Sequence, residues 1–224
     1  MSPAPDVPCP TDRPPAPPRT VVWGVLGGIA SGKSRVAQLL AGPAGVVIDA
    51  DRLAHGVLAE APVLERIRAR FGAGVLDAEG RVDRGRLARA VFDDPAGRAA
   101  LESWVHPRVR ERVAALLAEA RREGVPRVVL DVPLLLENDG QHGLLSECEQ
   151  LVFVDAPLEA RERRARAGRG WDAGEVARRE AAQLPLDDKR AAAQHVIRND
   201  GDLAALAAAV SELLERSEQT RAGR

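Results

Sequence analysis

From about residue 20 onward, short unbroken apolar runs alternate with longer stretches in which apolar residues recur every three or four positions. The runs are Val21-Val22-Trp23-Gly24-Val25-Leu26, Val46-Val47-Ile48, Arg127-Val128-Val129-Leu130-Asp131, Leu151-Val152-Phe153-Val154-Asp155 and His195-Val196-Ile197-Arg198-Asn199. Runs this short, bounded by Gly, Pro or Asp, predict buried strands rather than helices. The stretches between them predict helices over residues 34–41, 53–60, 63–71 and 84–92, with arginine-rich helices over 157–193. Asp94-Pro95 opens a long helix, with aspartate as N-cap and proline at the first helical position. Pro107 lies inside that helix and is expected to break or kink it. Asp202 is expected to cap a final amphipathic helix.

Strands apolar on both faces, alternating with helices, indicate a parallel sheet covered on both sides. The fold expected is a three-layer α/β/α of the P-loop kind with about five strands, right-handed crossovers, a helical insertion and a helical lid. The core is expected from residues 20–52, 124–156 and 194–217, with the insertion at 53–123 and the lid at 157–193. Eight prolines between Pro3 and Pro18 leave residues 1–19 unable to bury apolar surface, so a disordered tail is expected there.

The chain has 224 residues, 45% of them hydrophobic, and a formal net charge of −1. No global basic field points to nucleic acid or a membrane surface, so neither is expected as a partner. Two cysteines, Cys9 and Cys148, form no CxxC, which argues against a disulfide framework or structural zinc and fits a reducing compartment. No secretory leader pattern opens the chain, and no apolar run reaches the roughly 20 residues of a membrane span, so a cytoplasmic location is expected. Only two of the 32 basic residues are lysines, Lys33 and Lys189. In such a background a lysine marks a place that needs a compact ammonium rather than a planar fork.

The first predicted strand runs straight into Gly27-Gly28-Ile29-Ala30-Ser31-Gly32-Lys33-Ser34, a G-x-x-x-x-G-K-[ST] motif followed by a predicted helix. The amides of Gly28, Ile29, Ala30, Ser31, Gly32, Lys33 and Ser34 are expected to cradle phosphates at the positive end of a helix dipole. Lys33 would bridge the β- and γ-phosphates and the Ser34 hydroxyl would ligate Mg²⁺, with ATP as the nucleotide. Arg35 either adds a phosphate contact or faces solvent. A guanine-reading N-K-x-D is absent, and Asp77-Ala78-Glu79-Gly80 fits D-x-x-G only by coincidence. Asp131 is followed by Val132-Pro133 rather than the second acid of a hydrolysing motor. Asp51 lies at the carboxyl end of the second strand, where ligands bind in open α/β folds. It is either the carboxylate that accepts a hydroxyl proton or the N-cap of the helix that follows; the neighbouring P-loop favours chemistry.

These residues together resemble the dephospho-coenzyme A kinase family. The resemblance rests on Gly27–Ser34, Val47-Ile48-Asp49-Ala50-Asp51, the segment from Phe71-Gly72 to Arg84, His106-Pro107, Asp131-Val132-Pro133-Leu134-Leu135-Leu136-Glu137, Arg179, Gln183 and Lys189, and Val196-Ile197-Arg198-Asn199-Asp200-Gly201. It implies transfer of the γ-phosphoryl of ATP to the ribose 3′-hydroxyl of dephospho-coenzyme A, with Asp51 catalytic and Lys33 neutralising developing charge. It also implies that 53–123 binds the acceptor and that lid arginines, Arg164 first and Arg169 second, reach the phosphates. His106 is expected at the acceptor or as a packed helical histidine. Asp131 is expected near the metal and substrate or at a plain strand end, and Glu137 and Gln183 are expected to be structural. Leu26, Ala30 and Arg35 depart from the family's usual threonine, glycine and threonine. Two rival readings are another small-molecule P-loop kinase and a nucleotide-dependent regulatory ATPase.

Overall fold

In a computed structural model, residues 19–222 of the chain are described. The proline-rich stretch expected to be disordered lies almost wholly outside them. Five parallel strands form one sheet: β1 (Val21–Gly27), β2 (Val46–Asp49), β3 (Arg127–Asp131), β4 (Gln150–Asp155) and β5 (His195–Arg198). Their order across the sheet is β2-β3-β1-β4-β5, so the order reverses beside the central strand β1. A ligand cleft is expected at the carboxyl ends beside such a switch point.

Alternation along β1 assigns its side chains to two apolar layers. Val22 and Leu26 join Ile48, Val128, Leu130 and Phe153 on one face. Val21, Trp23 and Val25 join Val129, Val152, Val154 and Ile197 on the other. The second face is covered by α1 (Lys33–Ala41), through Val36, Ala37 and Leu40, and by α10 (Leu203–Ala222), through Leu206, Val210 and Leu213. Asp202 accepts from Ala205 N at 2.8 Å and so caps α10 as expected.

The first face is covered by the insertion between β2 and β3. It contains α2 (Ala50–Leu58), α3 (Ala61–Phe71), α4 (Arg84–Phe92) and α5 (Pro95–Arg122). Val57, Val63, Ile67, Leu87, Val109, Val113 and Leu117 belong to the same buried cluster as the strands, so this insertion has no core of its own. It is a layer of the fold before it is anything else. Asp77 accepts from the amides of Glu79 and Arg81 in a turn closed by the Leu76–Val82 bridge, which accounts for the D-x-x-G without a nucleotide.

Asp94 caps α5 by accepting from Gly97 N at 2.8 Å, with Pro95 in the first turn. The expected break at Pro107 does not occur: α5 is one helix of 28 residues. Proline removes one helical hydrogen bond, but the buried stripe Val105, Val109, Val113, Leu117 and Ala120 holds both halves against the core.

Between β3 and β4 lies the short α6 (Asp139–His142); between β4 and β5 lie α7 (Leu158–Arg169), α8 (Glu175–Glu180) and α9 (Leu186–Ala192). Their tie to the sheet is largely polar. Lys189 on α9, 3% exposed, meets Glu137 at 2.6 Å and donates to Gln183 Oε1 at 3.1 Å. Three residues that the sequence leaves far apart therefore meet in one buried cluster. Removing one member of a buried ion pair strands the other charge. Lys189→Ala should lower unfolding free energy by about 3–5 kcal/mol. The joint change Glu137→Gln with Lys189→Met should recover most of that loss, as urea denaturation of both variants will measure.

Candidate active site

The P-loop follows from strand and helix geometry. β1 ends at Gly27, the chain turns back through Ala30 (φ 58) and Gly32 (φ 96), and α1 begins at Lys33. Ala30 holds a left-handed backbone that glycine would adopt without strain, an expense of roughly 1 kcal/mol at most for a small side chain. Gly32 has no such latitude, because a Cβ there would collide with Nδ2 of Asn199.

Three side chains from the β4–β5 end hold this turn from outside. Asn199 Nδ2 donates to the Ser31 carbonyl at 2.7 Å. Arg164 donates to the same carbonyl at 3.2 Å and to Asn199 O at 2.9 Å. Glu180 Oε1 accepts from Ile29 N at 2.7 Å and pairs with the buried Arg161 at 2.5 Å. A Cβ on Gly28 would lie 2.6 Å from Glu180 Oε1 and 2.8 Å from Arg161, so this glycine makes room for the pair. The Ser31 Oγ is buried without a partner among the described residues.

A cleft of about 1120 Å³ opens over the loop. Its walls include residues Gly27 and Ile29 to Arg35, then Asp49, Asp51 and Asp131 from the ends of β2 and β3. Arg164, Arg169, Arg178, Arg179 and Trp171 come from α7, α8 and their connection, and Phe92 and Arg98 stand at the insertion side. Arg35 is exposed at the edge and donates to Gln38 on its own helix at 3.1 Å.

The arginine run is sorted by its partners. Arg161 is spoken for by Glu180 and the Ala156 carbonyl. Arg178 and Arg179 both pair with Glu175, at 2.5 and 2.6 Å. Arg164 contacts backbone and amide oxygens only. Arg169 forms no ion pair among the described residues and stacks on Trp171. Arg163 and Arg166 are not part of the cleft wall, whereas the two arginines ranked from the sequence, Arg164 and Arg169, both are.

Two readings of the acidic pair change. The helix after β2 starts one residue earlier than its expected cap: Asp49 is the N-cap of α2, accepting from Arg52 N at 2.9 Å, and Asp51 sits in the first turn. The capping role therefore falls to Asp49, and Asp51 carries no cap. Burial, then the neighbouring Asp49 charge, pushes the Asp51 carboxyl above the usual carboxylate range, with Asp131 adding to the effect. His106, half-buried on α5, is absent from the cleft wall and lies close enough to His142 for its charge to disfavour protonation there.

Lys33 Nζ folds back onto the carbonyls of Gly27 and Gly28 at 3.1 and 2.8 Å. Desolvation lowers it to about 8, against a partial offset from Asp131, with Lys189 and Arg169 lowering it further. Ser34 lies in the first turn of α1, and Asp131, Asp49 and Asp51 share the cleft with it. Among the described residues no three acids, histidines or cysteines form a metal cage. An all-oxygen, incomplete donor set suits a hard cation that takes its remaining ligands from phosphate and water, as Mg²⁺ does.

A P-loop at the carboxyl edge of a parallel sheet, facing a carboxylate and several arginines across one cleft, defines a P-loop phosphotransferase site. Residues 21–205 match the family model for dephospho-CoA kinase. A dephospho-CoA kinase of Thermobifida fusca is 42% identical over 193 residues, 86% of this chain and 94% of that protein. One of Symbiobacterium thermophilum is 44% identical over 81% of this chain and 75% of its own length. The crystal structure of TT1252 from Thermus thermophilus superposes with a TM-score of 0.71 at 39% identity, covering 88% and 98% of the two chains. A dephospho-CoA kinase from Campylobacter jejuni shares the fold at 22% identity and a TM-score of 0.69. The chain belongs to the dephospho-CoA kinase family.

Glu180 and Trp171 carry no motif in the sequence; Glu180 meets Ile29 across 151 residues of chain. Asn199 stands in the Val196–Gly201 motif, but that motif alone does not show its bond to the Ser31 carbonyl.

Lys33 yields a proton-linkage prediction. A triphosphate beside it favours the charged form and returns its pKa toward the ordinary 10.5. Nucleotide binding at pH 8.5 should therefore take up protons, and at pH 7 this lysine should take up almost none. Calorimetric titrations in buffers of different ionisation enthalpy measure the difference; equal uptake at both values would contradict the assignment.

Proposed function

We propose that this chain transfers the γ-phosphoryl group of ATP to the ribose 3′-hydroxyl of dephospho-coenzyme A, giving coenzyme A and ADP. The observation that carries this reading is one cleft joining the P-loop to Asp51 in a chain of this family. The acceptor hydroxyl attacks the γ-phosphorus, an oxygen–phosphorus bond forms, and the bond to the β-bridging oxygen breaks. The hydroxyl proton passes to Asp51, whose raised proton affinity makes it a better acceptor than an ordinary aspartate. Lys33 leaves the two loop carbonyls and takes up the charge growing on the leaving phosphate, the main catalytic lever in such transfers.

The Ser34 hydroxyl would hold Mg²⁺, with Asp131 supporting its water shell. When bound, that ion neutralises phosphate charge and fixes the geometry of the triphosphate. P-loop amides between Gly28 and Ser34 would hold the β-phosphate, apart from those of Ile29 and Ser31, which Glu180 and the Gly28 carbonyl take, with Arg164 supporting the turn behind them. The insertion at 53–123 would carry the acceptor, and 157–193 would act as the lid that excludes water. His106 would meet only the acceptor's distal arm, since it stands outside the cleft wall. The reaction is placed in the cytoplasm, in keeping with the chain's few cysteines. Cys148 itself, pushed up to about 12 by burial, is chemically quiet.

The test is ADP release with dephospho-coenzyme A, adenosine, shikimate and nucleoside monophosphates as acceptors. Turnover should be selective for dephospho-coenzyme A. Asp51→Asn should cut kcat on the order of 10²–10⁴-fold while ATP still binds. Folded, ATP-binding protein inactive on dephospho-coenzyme A would overturn the reading.

A pH profile separates Asp51 from its neighbour. Activity needs the ionised carboxylate, so it is present above the Asp51 pKa and lost as pH falls through it. Asp49→Asn removes a like charge that raises this pKa yet keeps a capping side chain. The acid limb of kcat should move to lower pH in that variant, with melting temperature nearly unchanged.

A further inference from the structure

Trp171 lies in the α7–α8 connection and lines the cleft, one of three tryptophans in the chain. Two guanidinium groups stack on its ring: Arg169 at 4.8 Å and Arg179 at 4.3 Å from the centroid. Both arginines line the same cleft. They differ in what else holds them. Arg179 is fixed by Glu175 at 2.6 Å, whereas Arg169 has no carboxylate among the described residues. Among the described residues the indole is thus the one anchor of Arg169.

The ring's reason for being there is not the core. Trp171 is only half-buried, sits outside both apolar clusters, and follows Gly170 (φ 64), which ends α7. Two cations brought together repel, and a shared aromatic face offsets that repulsion without neutralising either charge. A carboxylate at this spot would cancel the charge that a phosphate needs. An aromatic ring leaves it available. The Arg169 charge is felt at Lys33, where it disfavours the ammonium, so it acts on the floor of the phosphate site.

We propose that Trp171 is a positioning residue that holds Arg169 aimed at the triphosphate of the bound nucleotide. It acts through that arginine, Arg179 being held by Glu175, and does not stack on the base. This rests on the proposed nucleotide site, not on the identity of the acceptor.

The experiment is calorimetric binding of ATP and of inorganic tripolyphosphate, each with Mg²⁺, to full-length wild type, Trp171→Leu, Trp171→Phe, Arg169→Gln and the double variant Trp171→Leu with Arg169→Gln. Far-ultraviolet circular dichroism melts check that each folds. Trp171→Leu should weaken both ligands by about tenfold, and Trp171→Phe, which keeps an aromatic face, should recover most of the loss. The double variant should bind no more weakly than Arg169→Gln alone. Three results would overturn the proposal: a loss for ATP with none for tripolyphosphate, which would mean base stacking; additive losses in the double variant; or unchanged affinity in Trp171→Leu. Because no acceptor is present, these outcomes are independent of whether dephospho-coenzyme A is the substrate. Failure of wild type to bind either ligand would instead sink the nucleotide site itself.

Discussion

The structure depends on keeping one ring of backbone amides open. A P-loop binds phosphate because its N–H groups point inward, and a turn this tight collapses onto its own polar atoms unless it is held from outside. Here the outside is built from three directions. Asn199 and Arg164 pull on the Ser31 carbonyl, Glu180 takes the Ile29 amide, and Trp23 and Val25 bury the strand that leads in. Glu180 uses up the Ile29 amide, whereas Asn199 and Arg164 hold the turn by a carbonyl and leave its amides alone. Preorganised dipoles are the feature that makes electrostatic catalysis effective. The same contacts explain the two glycines that leave no room for a side chain, Gly28 against Arg161 and Glu180, and Gly32 against Asn199.

Charge in the cleft is arranged by the same economy of space. Lys33, Lys189, Arg164 and Arg169 share the cleft with Asp49, Asp51 and Asp131. Loss of water, and after it crowding of like charge, lower Lys33 and raise Asp51, each toward the neutral form. A triphosphate with its metal would reverse the first effect. A lysine held near its switching point changes protonation when the ligand's charge arrives, and a carboxylate shifted upward is the more basic for it.

The sheet was legible because parallel strands buried on both faces must be apolar at every position, and all five runs in the sequence are strands here. Caps at Asp94 and Asp202 were legible because a capping bond is local. The cap of α2 is Asp49 rather than Asp51, because β2 runs to Asp49 and the helix begins at Ala50, so the capping alternative for Asp51 falls away. Pro107 did not break α5, since a buried stripe of valines outweighs one missing hydrogen bond. Within the arginine run, composition could say only that some residues face a ligand. What the structure adds is their partners, such as Glu175 and Glu180, which carry no motif in the sequence.

The two lysines close the argument about side-chain choice. In a chain that otherwise uses arginine for every cation, both line this cleft and both have their ammonium groups against oxygen: Lys33 on two P-loop carbonyls, Lys189 on Glu137 and Gln183. A guanidinium needs a planar slot and about twice the donors to be satisfied, whereas an ammonium turns freely among whatever oxygens are near. For Lys33 that freedom suits the proposed role, in which the atom that rests on Gly27 and Gly28 would swing to a phosphate at the cost of two hydrogen bonds to carbonyls. For Lys189 it is architectural, because one small cation joins the end of β3 to α9 and so ties the arginine-bearing helices to the sheet. The rarity of lysine in this sequence is thus a record of where a point charge, rather than a fork, fits the geometry.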